Sequence, residues 1–168
     1  MSHQSLELLS PDPALEEALA AGLAQVEQEL RESVRSSSPF INEAAGYLVD
    51  AGGKRFRPLL VLLAAQFGDP TRPEVIRSAV SVELTHLATL YHDDVMDEST
   101  TRRGVETVNA KWGNLQAILA GDFLLARASE IAASLGTEVA GLLAHTIGNL
   151  CEGRRLFYHL IRNAMHRS

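Results

Sequence analysis

Apolar residues recur at Ile76, Val80, Leu84, Leu87 and Leu90, every three or four positions, and the run ends in Asp93-Asp94-Val95-Met96-Asp97. That spacing predicts a long α-helix closed by a carboxylate cluster. Asp93 and Asp97 are one turn apart and project from one face, with Asp94 about 100° round the axis. Two like charges at that spacing repel unless a cation lies between them. Acids also favour helix N-termini, whereas this cluster closes its helix just before Ser99-Thr100-Thr101, where the macrodipole opposes it. One reading is a solvated acidic helix end. The other is a platform for Mg²⁺, which takes one or two carboxylates, keeps waters and accepts phosphate oxygens.

The rest of the chain also reads as helices. Pro13, with Asp12 as a cap, opens a stripe of Leu15, Leu19, Leu23, Val26 and Leu30 that stops at Ser36-Ser37-Ser38-Pro39. A second helix is expected from about Ile41 to Asp50, ended by Gly52-Gly53. Pro58 opens a third over Leu59 to Phe67, and Arg72-Pro73-Glu74 starts the long one. A helix over about 114–134 breaks at Gly136-Thr137, and the last begins near Glu138. No alternating strand pattern and no internal repeat is visible. Alanine and leucine dominate and aromatics are only 5%, which favours an all-α class over a β-sandwich.

The 168 residues fit one domain, with residues 1–11 as a flexible polar arm. A net charge of −6 argues against general nucleic-acid binding. The single Cys151 excludes an internal disulfide and suits a reducing, cytoplasmic setting. No stretch reaches the about 18 apolar residues of a transmembrane segment, and no secretory signal is evident. Residues 154–168 differ from what precedes them: they hold four arginines and no acid. This tail is either a basic helix end or foreign sequence following a truncation.

Three further groups bear on the metal reading. In Gly52-Gly53-Lys54-Arg55-Phe56-Arg57-Pro58, glycines permit close backbone approach and three cations precede a helix N-terminus, itself favourable to anions. The alternative is a helix C-cap and a basic turn. His86 lies two turns before Asp93 on a stripe with Glu83, Leu90 and Asp97. It is either a ligand contact or a packing residue, and His92 points elsewhere. Arg102-Arg103-Gly104 offers guanidinium forks that match phosphate oxygens, or it is a solvated loop. Asp122, after Gly121, is read as structural, and Trp112 as core.

Gly53-Lys54-Arg55-Phe56-Arg57-Pro58, His86, Asp93 to Asp97, Arg102-Arg103-Gly104 and Ala120-Gly121-Asp122 together resemble the trans-isoprenyl diphosphate synthases, or polyprenyl synthetases, over roughly residues 15–153. The resemblance implies an all-α helical bundle of the isoprenoid synthase type around a central cavity, and a homodimer or a heteromer with a related subunit. It implies chain elongation, in which an allylic diphosphate condenses with isopentenyl diphosphate. By that resemblance Asp93 and Asp97 bind Mg²⁺ with Asp94 in support. Lys54, Arg57, His86 and Arg103 hold isopentenyl diphosphate, and Arg102 contacts the allylic diphosphate. Bulky aromatics four and five residues before the first aspartate floor the product cavity in this family. Ala88 and Thr89 stand there instead, implying a medium or long polyprenyl product.

The sequence also departs from the family. Family members carry a second aspartate-rich motif on a later helix, and none follows residue 97 here. Gly153 is followed by Arg154 where the family reads glycine-glutamine. The expected division is therefore a family-like part at 12–153 and a divergent tail at 154–168, with weak or no turnover by this chain alone. The alternatives are a non-catalytic diphosphate-binding subunit of a heteromeric synthase and an inactive, truncated or frameshifted relic. A class I terpene cyclase also uses DDxxD, but Lys54, Arg57 and the paired arginines fit a second diphosphate that a cyclase lacks.

Overall fold

The computed structural model describes residues 12–165, with side chains to residue 153. The expected arm at 1–11, and the side chains of the basic tail, lie outside the described residues. Seven helices and one small hairpin make up the described chain: α1 (Pro13–Ser33), α2 (Pro39–Asp50), α3 (Phe56–Ala65), α4 (Pro73–Met96), β1 (Thr101–Arg102), β2 (Val105–Glu106), α5 (Val108–Trp112), α6 (Asn114–Ser134) and α7 (Thr137–Met165). The backbone of the tail thus continues α7 as far as Met165. No described helix is long and apolar enough to cross a membrane.

Local chemistry sets these boundaries. Proline occupies the first turn of α1, α2 and α4, where its missing N–H costs nothing. Asp12 caps α1 by accepting from Ala14 N at 3.0 Å, and Ser38 caps α2 through Ile41 N. The α3 helix begins at Phe56, two residues before the expected Pro58, because Arg55 takes a left-handed conformation (φ 46°) and turns the chain there.

Two compact units divide at Ile131/Ala132. In the first, α4 is the central helix. It buries Ile76, Val80, Leu84, Leu87, Leu90 and Tyr91, and also Ala79, Ala88 and Ser81, so more than one stripe is covered. Leu19, Leu23, Val26 and Leu30 of α1, Leu48 and Val49 of α2, and Leu59 and Leu62 of α3 complete this core. The Tyr91 hydroxyl ties α4 to α2, donating to Ala44 O at 2.6 Å and accepting from Leu48 N at 3.3 Å. The Ser81 hydroxyl ties α4 to α6 by donating to Ala128 O at 2.9 Å. The second unit holds the last turn of α6, a glycine turn at Gly136 (φ 118°) and α7.

Trp112 is half-buried rather than core. It meets Tyr47 and Phe40 edge-on at 5.2 and 6.3 Å, with the Lys111 ammonium 4.1 Å from its ring centre.

Candidate functional site

The last turn of α4 carries the carboxylates. The Asp97 N–H donates to Asp93 O at 2.8 Å, so the helical turn continues through Asp97 and both side chains share a face. Asp93 is half-buried and Asp97 exposed. Asp94 turns inward and is buried. Its carboxylate accepts from Arg102 Nε at 2.8 and 3.0 Å and lies 2.7 Å from a terminal guanidinium nitrogen.

The segment beyond α4 straps this end in place. Ser99 N–H donates to Asp94 O at 2.9 Å, Asn109 Nδ2 donates to Asp94 O and Ser99 O at 3.2 and 3.0 Å, and the buried Thr107 hydroxyl donates to Ser99 O at 2.7 Å. The β1–β2 hairpin, with Arg103 (φ 53°) and Gly104 (φ 81°) at its tip, therefore sits at a fixed place beside the aspartates.

Arg103 reaches the opposite way from Arg102. Its terminal nitrogen donates to Leu48 O at 3.2 Å and to Gly52 O. A Cβ at position 53 would lie 2.9 Å from the Arg103 guanidinium carbon, so glycine is required for this approach. The hairpin thus links the end of α4 to the loop that carries Lys54. Lys54 and Arg57 are both exposed there, Arg57 in the first turn of α3.

The third cation of that loop behaves differently. Arg55 was expected to join an anion-binding cluster, but it is buried and committed to the protein. It donates to Glu27 from Nε and from a terminal nitrogen (3.3 Å), to Glu83 Oε1 at 3.1 Å and to Val49 O at 3.0 Å. Burial pushes Glu83 above the ordinary carboxylate range, and Arg55 opposes that rise.

His86 is half-buried one turn beyond Glu83. Burial above all, and after it the charges of Arg57, Arg103, Arg102 and Arg55, lowers its pKa from 6.5 to about 4, so the imidazole is neutral at pH 7. Four guanidinium groups thus add positive potential at a neutral ring two turns before Asp93. In a field of this sign an anion is stabilised.

The donor set suits a hard divalent cation. Two carboxylates lie one turn apart at a helix C-terminus, whose dipole adds negative potential. Among the described residues no group of three or more His, Cys, Asp or Glu is arranged to hold a metal ion. A two-carboxylate platform leaves the remaining positions to water or phosphate oxygens.

Sequence reasoning set aside His92 and Asp122, and the structure places them together. His92 Nε2 lies 3.2 Å from Asp122 Oδ1 without forming an aligned hydrogen bond. The ring packs on Gly121, where a Cβ would come within 2.5 Å of Nε2. The sequence also missed the strapping role of Thr107 and Asn109, since neither forms a motif. Ala88 is buried on the α4 face that carries Ser81 and His92 towards α6. Thr89 is half-buried, and its hydroxyl donates to His86 O at 2.7 Å.

The chain is 46% identical over 144 residues to a nonaprenyl diphosphate synthase of Mycobacterium tuberculosis, covering 85% of this chain and 43% of that one. It is 47% identical over 136 residues to heptaprenyl diphosphate synthase component 2 of Geobacillus stearothermophilus, covering 80% and 42%. The crystal structure of a Corynebacterium glutamicum geranylgeranyl pyrophosphate synthase, complexed with calcium and isoprenyl diphosphate, superposes with a TM-score of 0.76 at 46% identity, over 86% of this chain and 44% of that one. The chain thus spans less than half the length of these relatives, and its all-α fold is that of the corresponding part of an isoprenoid synthase. With residues 38–158 also matching the family model described as Polyprenyl synthetase, the chain belongs to the polyprenyl synthetase family, whose prenyl transfer chemistry its relatives' names describe.

Proposed function

We propose that this chain carries the diphosphate-binding half of a Mg²⁺-dependent prenyltransferase that condenses an allylic diphosphate with isopentenyl diphosphate. The observation that carries the reading is the β1–β2 hairpin, which sets Arg102 on Asp94 beside the Asp93–Asp97 turn and Arg103 on the Leu48 and Gly52 carbonyls of the loop that carries Lys54. Asp93 and Asp97 would hold the metal, and Asp94 supports them by fixing Arg102. Lys54, Arg57, His86 and Arg103 bind isopentenyl diphosphate, and Arg102 contacts the allylic diphosphate.

Ionisation of an allylic carbon–oxygen bond leaves a carbocation and a diphosphate whose negative charge grows as the bond breaks. Fixed cationic groups stabilise that growing charge where electrostatic catalysis is most effective. Bound Mg²⁺ would neutralise diphosphate oxygens and favour departure of the leaving group. Such a cation must be kept from water, which would quench it. Small residues at 88 and 89 accord with a medium or long polyprenyl product, Thr89 on the half-open face.

The functional part is assigned to residues 12–153, although the family match runs on to residue 158, into the basic tail. The name "component 2" of the Geobacillus relative favours a second reading, a diphosphate-binding subunit in a heteromeric synthase. Calorimetry with an unreactive allylic thiolodiphosphate tests the site. Binding should strengthen with Mg²⁺ and lose that gain in Asp93→Ala, and equal affinity in all three conditions would refute the proposal. An isotopic assay with both diphosphates, with and without a candidate partner subunit, separates the two readings.

A further inference from the structure

We infer that Arg55 is a positioning residue, which sets the anion-binding loop from inside the protein without touching the diphosphate. The inference rests on the functional reading above, since it concerns how Lys54 and Arg57 are presented.

Three observations converge on it. Arg55 is only 2% exposed although both exposed cations of the loop are its near neighbours in sequence. Its backbone is left-handed at φ 46°, ψ 37°, a conformation that is strained for a non-glycine residue. Its guanidinium is used on three sides: by Glu27 of α1, by Glu83 of α4 and by the Val49 carbonyl near the end of α2. One side chain therefore fixes the start of α3 against three other helices.

The geometry follows from the turn. A left-handed residue directly before α3 reverses the chain, so that position 55 points inward while 54 and 57 point to solvent. Glu83 lies one turn before His86 on α4. The clasp that holds the loop thus also refers it to the helix bearing His86. Glycine would take the same backbone conformation with less strain, but it would leave Glu83 buried without its cation.

The test uses the whole chain and inorganic pyrophosphate in metal-free buffer, which isolates the basic loop from the carboxylate platform. Affinity is measured by calorimetry and the thermal midpoint alongside. Lys54→Ala tests the underlying reading. If it binds as wild type does, or if wild type does not bind, that reading and this inference fall together.

Given loss in Lys54→Ala, the deciding variant is Arg55→Met/Glu83→Leu, which replaces the buried ions by apolar groups of similar size and so tends to keep stability. We expect a wild-type-like midpoint with affinity weakened about tenfold or more. Wild-type affinity in this variant would overturn the positioning role. Glu27→Gln, at the half-exposed end of the clasp, covers the case in which the double variant does not fold. It should weaken binding several-fold with no change in midpoint, and unchanged affinity would count against the inference. Arg55→Lys, which keeps the charge and loses the fork, should recover only part of the affinity.

Discussion

Arg102 holds the buried Asp94 carboxylate with two nitrogens, Nε at 2.8 Å from Oδ1 and a terminal nitrogen at 2.7 Å from the same oxygen. The middle aspartate of the cluster is thus engaged by the protein itself, while its neighbours at 93 and 97 lie on a different, more exposed face. Arg102→Ala leaves a buried carboxylate without its cation. It should lower unfolding free energy by about 1.5–3 kcal/mol in urea titrations, with Arg102→Lys recovering part of the loss. An unchanged midpoint would show that the pair does not stabilise the fold.

His86 gives the fold a defined pH dependence. Its pKa falls from 6.5 to about 4 on folding, so between these values the unfolded chain binds more protons than the folded one. Stability contributed by the neutral ring is fully present above pH 6.5 and is lost as pH falls towards 4. His86→Gln should flatten that slope. An NMR titration showing the His86 ring protonating near 6.5 in the folded chain would contradict the assignment. Addition of pyrophosphate should raise the ring's pKa, because the anion offsets Arg57, Arg102 and Arg103.

Tyr91→Phe removes the hydroxyl shared by Ala44 O and Leu48 N. Both partners lie in the buried contact between α2 and α4, so the loss should be about 1–3 kcal/mol. Hydrogen exchange at Leu48 N–H should quicken in the variant, and unchanged protection there would argue against the bond.

The α3 face is apolar and open. Phe56 and Leu60 stand one turn apart at 58% and 48% exposure, and Phe67 beyond the helix is at 97%. Sedimentation of the chain should show association that grows with concentration and falls in Leu60→Ser/Phe67→Ser, as expected of a contiguous apolar patch. Concentration-independent sedimentation would remove this expectation.

Much of the fold was legible because punctuation residues act locally. Pro13 and Pro73 mark helix starts by a rule that needs no tertiary information, and Gly136 marks a stop, whereas Pro39, read as ending the first helix, in fact opens α2 two residues before the expected Ile41. The hairpin at 101–106 and the short α5 were not legible. Two-residue strands cannot show alternation, and five helical residues scarcely show a period. The Asp93–Asp97 face was visible from spacing alone. The division of labour among Lys54, Arg55 and Arg57 was not, because it depends on Glu27 and Glu83, each 28 residues away in the chain. An acid amid the apolar residues of α4 was the available signal that a buried cation had to be found for it.

The contact between Gly121 and the His92 ring has a consequence for how these positions can diverge. A Cβ at 121 would enter space that the imidazole already fills. Gly121→Ala alone should therefore cost about 1–3 kcal/mol, whereas the same change made on a His92→Ala background should be nearly neutral. Substitution in a lineage must then proceed in one order, shrinking 92 before enlarging 121, so that either residue's history constrains the other's future.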